Sequence, residues 1–293
     1  MRDGAPSNAA PGMGEAPVGS AAPTGPSAGS GDRRPAVMEP ADAVAAEGEA
    51  TEKLRLIVGS AGIERLAAAH VVVLGLGGVG SNCVEALARA GVGHLFLVDR
   101  DIVQASNINR QAIAFRSTLG RRKVDAMRAM VADINPAAAV ETRHMLVLRE
   151  NLEGLLDEAR AWARSDGGSL DYVVDAIDSV SVKLALAELA QGGEFPLISS
   201  MGAANKVHPE CLRIADLYRT ANCPLCRIMR KEGRKRGIRR LRVLYSCEEP
   251  VRVPVREGAA RSERSNLGTI SYMPPIMGQT IAGAVIREIA GVA

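Results

Sequence analysis

The sequence predicts an α/β protein with a doubly wound, mainly parallel sheet and a smaller, basic α+β extension near the C-terminus. Two observations lead to this prediction. Short apolar runs rich in β-branched residues alternate with segments that have the apolar spacing of helices, which is typical of parallel strands covered by helices on both faces. A glycine cluster, residues 75–80, stands between the first such run and the first helical segment, and it indicates a tight strand-to-helix turn.

The first 50 residues predict a disordered tail that is no part of the fold. Ala, Gly, Pro and Ser make up 32 of them, and Leu, Ile, Phe, Tyr and Trp are absent. Such a segment cannot bury enough apolar surface to offset the entropy that it would lose on ordering. We therefore expect an Ala/Gly/Pro-rich tail at 1–50 and a folded domain at 51–293.

The overall composition, with 47% apolar and 24% charged residues, is that of an ordinary globular protein. The most apolar segment, Ile276–Ala293, is interrupted by Gln279, Arg287 and Glu288, so we expect no membrane-spanning helix. Five cysteines are few and odd in number for 293 residues. This argues against a secreted disulfide framework and predicts a cytoplasmic protein.

The individual elements follow from the same patterns. We predict strands at Val71–Leu74, Leu95–Asp99, Val140–Leu146, Asp171–Asp175 and Pro196–Ser200, and helices at Ser81–Ala90, Lys123–Ile134, Leu152–Arg164, Val182–Ala190 and Pro274–Ile289. After these strands the alternation weakens. The basic extension, about 213–255, is predicted to form short strands around a strongly basic helix.

The glycine cluster, Gly75-x-Gly77-Gly78-x-Gly80, has the spacing of the phosphate-binding turn of Rossmann-like folds. Glycines allow a tight turn and a close approach of the backbone to a ligand, and the N-terminus of the next helix favours a phosphate. Asp99 ends the second predicted strand about 20 residues later, where a carboxylate can accept hydrogen bonds from a ribose. The motif alone predicts NAD as well as it predicts ATP.

The polar residues that follow favour ATP. A reaction at the α-phosphate of ATP needs cations to stabilise charge on its oxygens, whereas hydride transfer needs little help there. Arg110 and Lys123 can supply positive charge, and Asp178 can supply a metal-binding carboxylate, all near carboxyl ends of predicted strands. The alternatives are a solvated surface charge for Arg110 and Lys123, and a helix N-cap for Asp178.

At these residues the chain resembles the ThiF/MoeB-type adenylating superfamily, which is related to ubiquitin-activating enzymes. The shared features are the glycine cluster, the aspartate after it, Asn107-Ile-Asn-Arg110-Gln111, Lys123 and Asp175-Ala-Ile-Asp178. From about residue 54 to residue 289, the chain is similar to the tRNA threonylcarbamoyladenosine dehydratase (TcdA/CsdL) family within it. The closer likeness rests on Asp175-Ala-Ile-Asp-Ser-Val-x-x-Lys183, Ser200-Met-Gly-Ala-x-Asn-Lys206, Ala215-Asp-Leu-Tyr-Arg-Thr220, Cys223-Pro-Leu, Arg230-Lys-x-x-Arg-Lys-Arg-Gly-Ile238 and Val243-Leu-Tyr-Ser-x-Glu-Glu-Pro250.

The resemblance implies a homodimer that binds ATP and Mg, adenylates the threonyl carboxylate of threonylcarbamoyladenosine in tRNA and cyclises it with net loss of water. It also suggests a sulfur-trafficking partner from a cysteine desulfurase system. By motif position, the resemblance assigns Gly75, Gly77, Gly78 and Gly80 to the nucleotide, Asp99 to the ribose, Asn107, Arg110, Gln111 and Lys123 to the phosphates, Asp101 to a further nucleotide contact and Asp178 to Mg.

Two further roles that the resemblance implies, those of Arg55 and Asp101, also stay open. The family carries an arginine before the first strand that reaches the neighbouring subunit's ATP site, and Arg55-Leu-Ile-x-Gly59 resembles this element. The usual Arg-Phe pair upstream of it is replaced by Glu49-Ala-Thr-Glu52, which leaves open how the N-terminal arm docks. Asp101 has an equal alternative, since an aspartate at this position can also cap a turn.

The basic extension predicts an RNA-binding surface. Between Arg227 and Arg242 there are nine Lys or Arg residues and one acidic residue. The candidate contacts with phosphates are Arg227, Arg230, Lys231, Arg234, Lys235 and Arg236, of which the first four share one helix face. Because only 3% of the residues are aromatic, recognition of RNA shape is favoured over base stacking. The alternative is a merely solvated helix.

The cysteines give a weaker signal. Cys223-Pro-Leu-Cys226 is half of a Cys₄ zinc site, but only Cys247 follows it. We therefore expect buried or incidental thiols, with no zinc and no thioester-forming cysteine.

Three functional hypotheses remain. The first is an ATP-dependent, adenylate-forming enzyme that modifies tRNA, which accounts for the basic helix and for the motifs after Asp175. The second is a ThiF/MoeB-like enzyme that adenylates the C-terminus of a ubiquitin-like or sulfur-carrier protein, which should show paired zinc motifs and a less basic surface. The third is an NAD-dependent dehydrogenase, which leaves Arg110, Lys123 and Asp178 without a role. We favour the first.

Overall fold

The computed structural model describes residues 49–252 and 267–292. These residues belong to one unit, Ala41–Ala293, and the other unit, Met1–Pro40, lies outside them. The predicted tail at 1–50 therefore lies outside the described residues, apart from Glu49 and Ala50, which are helical.

Seven strands within the described residues form a single sheet. The strands are β1 (His70–Leu74), β2 (His94–Val98), β3 (Ala139–Arg143), β4 (Leu170–Asp175), β5 (Leu197–Ser200), β6 (Leu212–Asp216) and β7 (Arg242–Ser246). Their order in the sheet is β3-β2-β1-β4-β5-β7-β6. All neighbours are parallel except β6 and β7, which are antiparallel. The predicted doubly wound, mainly parallel sheet is confirmed.

Helices cover both faces of this sheet. Besides the helical residues 49 and 50, the described helices are α1 (Glu52–Ala68), α2 (Gly78–Arg89), α3 (Lys123–Ile134), α4 (Arg149–Arg164), α5 (Val180–Ala190), α6 (Pro224–Lys235) and α7 (Met273–Ala290). None of the helices in the described ranges is both long and apolar enough to cross a membrane. The basic extension is confirmed as β6, α6 and β7, a helix between two short strands.

Sequence analysis missed α1. Among its 17 residues only Val58, Gly62 and Leu66 are buried, so the helix has little of the apolar periodicity that identifies a surface helix. Gly59 also interrupts it, with a φ of 72° that lies in the left-handed region. The helix is therefore set by its packing against the rest of the fold, above all against α7.

The two faces of the sheet bury alternate residues of each central strand. Val71 and Val73 of β1 pack into a core with α1, α2, α3 and α7. Val72 and Leu74 pack into a second core with α4, α5 and α6. Because every residue of β1 is buried, its sequence is a continuous apolar run rather than an alternating one.

The carboxyl ends of four parallel strands meet at one edge of the sheet. Leu74, the last residue of β1, lies beside Val98 in β2 and beside Asp175 in β4, and Asp175 in turn lies beside Ser199 in β5. The strand order reverses between β1 and β4, so the chain leaves these two strands towards opposite faces of the sheet. Such a switch point opens a crevice at which open α/β sheets bind ligands.

Close backbone packing joins α2 to α7 beside this crevice. A Cβ atom on Gly278 of α7 would lie 2.3 Å from the carbonyl oxygen of Val79 and 2.9 Å from the backbone nitrogen of Cys83. A side chain cannot fit there without a shift of backbone, so the two helices require glycine at the point where they touch. Met277 and Ile281 on either side of it are fully buried.

We predict that Gly278→Ala lowers the free energy of unfolding by about 1–3 kcal/mol, because the added methyl group overpacks this contact. The matched control is Gly154→Ala. Gly154 lies exposed within α4, where a Cβ would meet no described atom within 4 Å. The control variant should gain about 0.5–1 kcal/mol. Chemical denaturation of both variants measures the difference, and equal stability of the two would contradict the packing argument.

Candidate active site

The glycine loop joins β1 to α2 at the crevice. Gly75 has a φ of 91°, and a Cβ on it would lie 2.8 Å from the carbonyl oxygen of Ala176. A Cβ on Gly80 would lie 1.8 Å from the carbonyl oxygen of Gly75. Both positions require glycine because the loop, the first turn of α2 and the chain after β4 are in contact. A Cβ on Gly77 would meet no described atom within 4 Å, which leaves the backbone there open to a ligand.

Asp99 lies half-buried after the last residue of β2 and holds the glycine loop. Its Oδ2 accepts a hydrogen bond from the Leu76 N–H at 2.6 Å, and its Oδ1 accepts one from the Asp101 N–H at 2.7 Å. Each carboxylate oxygen has a second lone pair, so a ribose hydroxyl can still donate to Asp99. The structure thus brings the predicted ribose contact directly to the predicted phosphate loop.

Arg110 lies against the first turn of α2. A Cβ on Gly78 would lie 3.2 Å from its Cγ. The Nδ2 of Asn82 donates to the carbonyl oxygens of Gly78, at 2.7 Å, and of Arg110, at 3.1 Å, which ties the two segments together. The Nη1 of Arg110 donates to the Ser106 carbonyl oxygen and to Asn109 Oδ1. Within the described residues its Nε and Nη2 have no hydrogen bond, so these donors can serve a phosphate.

Lys123 begins α3 and is only 4% exposed. Its Nζ lies 2.9 Å from the Oδ2 of Asp101, and its backbone N–H donates to the Asp101 carbonyl oxygen at 2.9 Å. The side chain of Asp101 is 51% exposed. The alternative of a solvated surface charge is therefore wrong for Lys123, whose ammonium group is buried against an aspartate at the edge of the crevice.

Asn107 and Gln111 differ in what they do. The Oδ1 of Asn107 accepts a hydrogen bond from the Gln104 N–H at 3.0 Å, so this side chain shapes the loop before Arg110. The Oε1 of Gln111 is buried and has no hydrogen-bond partner among the residues that the structure describes. An unpaired buried acceptor is unfavourable, which makes Gln111 a candidate for contact with a ligand group that donates to it. Its predicted contact with a phosphate does not fit this atom, because phosphate oxygens accept hydrogen bonds, and would need the amide Nε2 instead.

Asp178 is exposed in the segment between β4 and α5. The alternative that it caps α5 is wrong, because the N-cap is Ser179 and no side chain there accepts a capping hydrogen bond. In the described part of the chain, the carboxylate of Asp178 makes no hydrogen bond or ion pair. A carboxylate oxygen is the type of ligand that Mg²⁺ prefers, so Asp178 fits the predicted metal contact.

A buried ion pair lies beneath this segment, and sequence analysis gave it no role. Lys183 of α5 and Asp175 of β4 are 1% and 0% exposed, and the lysine Nζ lies 3.0 Å from the aspartate Oδ2. The hydroxyl of Ser199 donates to the same oxygen, and Lys183 also donates to the Ser200 carbonyl oxygen at 2.8 Å. The Oδ1 of Asp175 accepts from the Ile177 N–H at 3.2 Å, which fixes the chain just before Asp178.

The sequence signals for this pair were a lysine inside the mainly apolar helix α5 and the occurrence of both residues in one motif of the resemblance. A lysine on a buried face needs an anionic partner. The spacing of eight residues between Asp175 and Lys183 does not by itself place the two side chains together.

Arg55 lies on α1 with an exposed side chain. Its Nη1 donates to the Ser60 Oγ at 3.2 Å, and within residues 49–252 and 267–292 the Arg55 side chain makes no other hydrogen bond or ion pair. A single copy of the chain therefore does not bring Arg55 to the glycine loop. Its predicted role on a neighbouring subunit stays a prediction.

A family model covers most of the chain. The ThiF family model matches residues 50–293. The chain belongs to the ThiF family. The predicted membership of the ThiF/MoeB-type superfamily is thus confirmed, and the match begins at the residue where the predicted tail ends.

Comparisons with individual proteins show which ThiF family members this chain is similar to. The tRNA threonylcarbamoyladenosine dehydratase of Bacillus subtilis is 39% identical over 243 residues, which cover 80% of this chain and 92% of the relative. The Salmonella typhimurium molybdopterin-synthase adenylyltransferase is 39% identical over 143 residues, which cover 49% of this chain and 52% of that protein. The crystal structure of the E. coli tRNA N6-threonylcarbamoyladenosine dehydratase, TcdA, in complex with ATP matches with a TM-score of 0.71 and 26% identity, covering 83% of this chain and 95% of the other. The predicted resemblance to the dehydratase family is confirmed.

In this ThiF family member, the predicted basic face of α6 divides into exposed and engaged side chains. Arg227, Lys231 and Arg234 are exposed. Among the described residues, Arg227 and Lys231 have no ion-pair partner. The guanidinium of Arg234 lies over the Tyr218 ring, 5.3 Å from its centroid. Among the six candidates, these three are the ones that are exposed and form no ion pair with the described residues.

The other three predicted RNA contacts have partners within the fold. Arg230 is half-buried, and its Nη1 donates to the carbonyl oxygen and to the hydroxyl of Thr220. Lys235 and Arg236 are exposed and form ion pairs with acidic side chains. An exposed ion pair is weak and can be exchanged for a phosphate, whereas Arg230 also holds the chain before α6.

We predict that Lys183→Met destabilises the fold by about 3–5 kcal/mol, because it leaves the carboxylate of Asp175 buried without a cation. The double variant Asp175→Asn/Lys183→Met should recover much of this loss, since it removes both charges. Lys235→Met, which breaks an exposed pair, is the control and should leave stability almost unchanged. Urea denaturation compares the three variants. If Lys183→Met is as stable as Lys235→Met, the buried pair does not stabilise the fold.

Proposed function

We propose that this ThiF family member catalyses the ATP-dependent dehydration of threonylcarbamoyladenosine in tRNA, through an acyl adenylate of the threonyl carboxylate. One observation carries the proposal. A glycine loop, an aspartate and two cations, Arg110 and Lys123, surround one crevice in a chain similar to a tRNA threonylcarbamoyladenosine dehydratase over 92% of that relative's length.

The chemistry explains why ATP is consumed. A carboxylate resists nucleophilic attack because its leaving group would be an oxide. Attack of the carboxylate oxygen on the α-phosphorus of ATP expels pyrophosphate and gives an acyl adenylate. The carbamoyl nitrogen then attacks the acyl carbon, loses its proton and expels AMP. AMP carries away the oxygen of the former carboxylate, so the nucleoside has lost the elements of one water.

Arg110 and Lys123 are the groups that act on the α-phosphate. Negative charge builds up on the phosphate oxygens as pyrophosphate leaves, and fixed cations in a water-poor site lower the free energy of this state. Lys123 is held in place by Asp101, and its ammonium can turn from that half-exposed carboxylate to a phosphate. Arg110 keeps its Nε and Nη2 for the same purpose, while its Nη1 anchors the side chain.

The remaining predicted residues hold the nucleotide. The open backbone at Gly77 and the N-terminus of α2 receive the phosphates. Asp99 accepts from the ribose, and the unpaired Oε1 of Gln111 takes a hydrogen-bond donor. Asn107 contributes indirectly, because its side chain accepts a hydrogen bond that shapes the loop before Arg110.

Asp178 is the residue that would hold Mg. Bound there, the ion would offset phosphate charge. The carboxylate is exposed, and the segment that carries it is fixed from below by the bond from Ile177 to Asp175. The buried pair of Asp175 and Lys183 therefore positions the metal contact.

The exposed cations of α6 support tRNA as the substrate carrier. Arg227, Lys231 and Arg234 lie on one helix face, where they can track a phosphate backbone without reading bases. The helix connects β6 to β7, the two strands at the edge of the sheet opposite β3. The protein thus offers the tRNA a basic surface that is separate from the nucleotide crevice between β1 and β4.

A homodimer, a partner from a cysteine desulfurase system and a cytoplasmic location complete the proposal. For the homodimer there is support on α1, where Leu56 and Ile57 are each 77% exposed next to Arg55. Two adjacent large apolar side chains at the surface are residues that a contact with another chain would bury. This contact would carry Arg55 towards the partner subunit.

The second candidate is adenylation of the C-terminus of a ubiquitin-like or sulfur-carrier protein. It would use the same ATP site. The similarity to a molybdopterin-synthase adenylyltransferase, which extends over about half of the chain, favours this candidate. The basic α6 and the longer similarity to the dehydratase favour the tRNA substrate.

We expect purified protein with ATP, Mg²⁺ and tRNA bearing threonylcarbamoyladenosine to convert that nucleoside to a product lighter by one water. Arg110→Ala should slow the conversion by about 10²- to 10³-fold, because it removes one positive charge of the protein that stabilises the transition state. The control is Arg164→Ala, at the exposed end of α4 on the far side of the sheet from the crevice. Nuclease digestion and mass spectrometry of the nucleosides measure the product.

An unchanged nucleoside would contradict the proposal that the protein dehydrates threonylcarbamoyladenosine. AMP formation that appears only when a ubiquitin-like carrier protein is added would establish the second candidate. If Arg110→Ala and Arg164→Ala lose activity equally, the site assignment is wrong even though the reaction is correct.

We also expect Arg227→Ala/Lys231→Ala to weaken tRNA binding and to lower the slope of log affinity against log salt by roughly one per cation removed. Arg164→Ala is again the control. Filter binding at several salt concentrations measures the slope, and ATP binding should stay unchanged. An unaltered salt slope would make α6 a solvated helix rather than an RNA contact.

A further inference from the structure

Two cysteines at the start of α6 lie close enough to react with each other. Cys223 is the N-cap residue of the helix, and the Cys226 N–H donates to its Sγ at 3.4 Å. Residues three apart on one helix turn lie about 5–6 Å apart, a separation that a disulfide can span. The sequence between them, Pro-Leu, begins the helix with proline in its first turn.

The surroundings of Cys223 favour its thiolate. The Cys226 thiol donates to the sulfur, and the backbone N–H groups of Cys226, Gly202 and Leu225 point to it, so the pKa of Cys223 is well below its ordinary value. The N-terminus of α6 adds the positive end of the helix dipole. The pKa of Cys226 is raised instead, chiefly because its proton is held by Cys223. The pair thus consists of one thiolate and one thiol that supports it.

Two of the other cysteines lack this environment. Burial raises the pKa of Cys83 to about 12. Burial and the neighbouring Cys247 raise the pKa of Cys211. At neutral pH the thiolate is therefore favoured at Cys223 over Cys83 and Cys211.

A cavity of about 310 Å³ opens onto Cys223. Arg227, Arg230 and Arg252 line it together with one acidic residue, Glu249. Cys223 itself is 4% exposed and Cys226 is fully buried. Cys223 thus borders a cavity whose arginines suit carboxylates, whereas Cys226 does not line it.

We propose that Cys223 and Cys226 are a thiol–disulfide exchange centre that reacts with small anionic disulfides. The Cys223 thiolate attacks one sulfur of the disulfide, and the other half leaves as a thiolate that takes up a proton. Cys226 then loses its proton and attacks the Cys223 sulfur of the mixed disulfide, which expels the second small thiol. The two cysteines are oxidised to one disulfide, and the small disulfide is reduced to two thiols. This inference does not depend on the proposed function.

The test uses the reduced full-length protein and oxidised glutathione as the anionic disulfide. After a timed reaction, the remaining thiols are alkylated and the protein is digested with trypsin. Cleavage after Arg219 and Arg227 releases peptide 220–227, which contains both cysteines of the pair and none of the others. The peptide should appear lighter by two hydrogens, and the pH midpoint of the rate should lie below the ordinary thiol pKa of about 8.5.

Variants separate the two roles. Cys226→Ser should stop at a stable glutathione adduct on Cys223. Cys223→Ser, which keeps a residue suited to the N-cap position, should slow the modification of peptide 220–227 at least about tenfold, because the remaining thiol of Cys226 is fully buried and does not line the cavity. The control, Cys211→Ser/Cys247→Ser, should oxidise at the wild-type rate. Circular dichroism shows whether each variant folds.

Two outcomes would overturn the proposal. One is full alkylation of peptide 220–227 after exposure to oxidised glutathione, in folded protein. The other is one zinc ion per chain that copurifies and protects these thiols until a chelator removes it, which would make them metal ligands.

Discussion

The close approach of α2 to the turn after β1 is the constraint on which the site depends. The carbonyl oxygen of Gly75 occupies the space that a side chain on Gly80 would need, and the chain after β4 presses on Gly75 from the other side. Because the backbone atoms touch, the N-terminus of α2 points into the crevice between β1 and β4. Asp99 and Arg110 are then placed by contacts with this turn, through Leu76 and Gly78.

Two lysine–aspartate pairs lie at the same edge of the sheet. They differ in how far the aspartate is exposed to solvent, and this difference gives them different roles. Lys183 and Asp175 are both fully buried, so neither can leave the other, and the pair acts on the segment that it supports. Lys123 is buried but Asp101 is half-exposed, so this pair can open when a phosphate offers the lysine another anion. The same chemistry thus gives a fixed support in one case and an exchangeable contact in the other.

Helix α6 joins two properties that its sequence shows separately. Its outer face carries exposed cations, while its first turn directs backbone N–H groups at the sulfur of Cys223. The half-buried Arg230 connects the two, since it lines the cavity beside Cys223 and also bonds to Thr220. The helix therefore has an exposed basic face and a first turn that surrounds a sulfur atom.

The sequence by itself determined the parallel sheet, the bounds of α3 and the glycine loop, because buried strands and tight turns restrict residue type at each position. It also indicated Asp99 and Lys123 as candidates for the site, since both belong to the motif pattern that follows the glycine loop. Only the tertiary structure decided the pairing of Lys183 with Asp175, the unpaired oxygen of Gln111 and the existence of α1. These depend on contacts between segments far apart in the chain, and such contacts leave no periodic trace in the sequence.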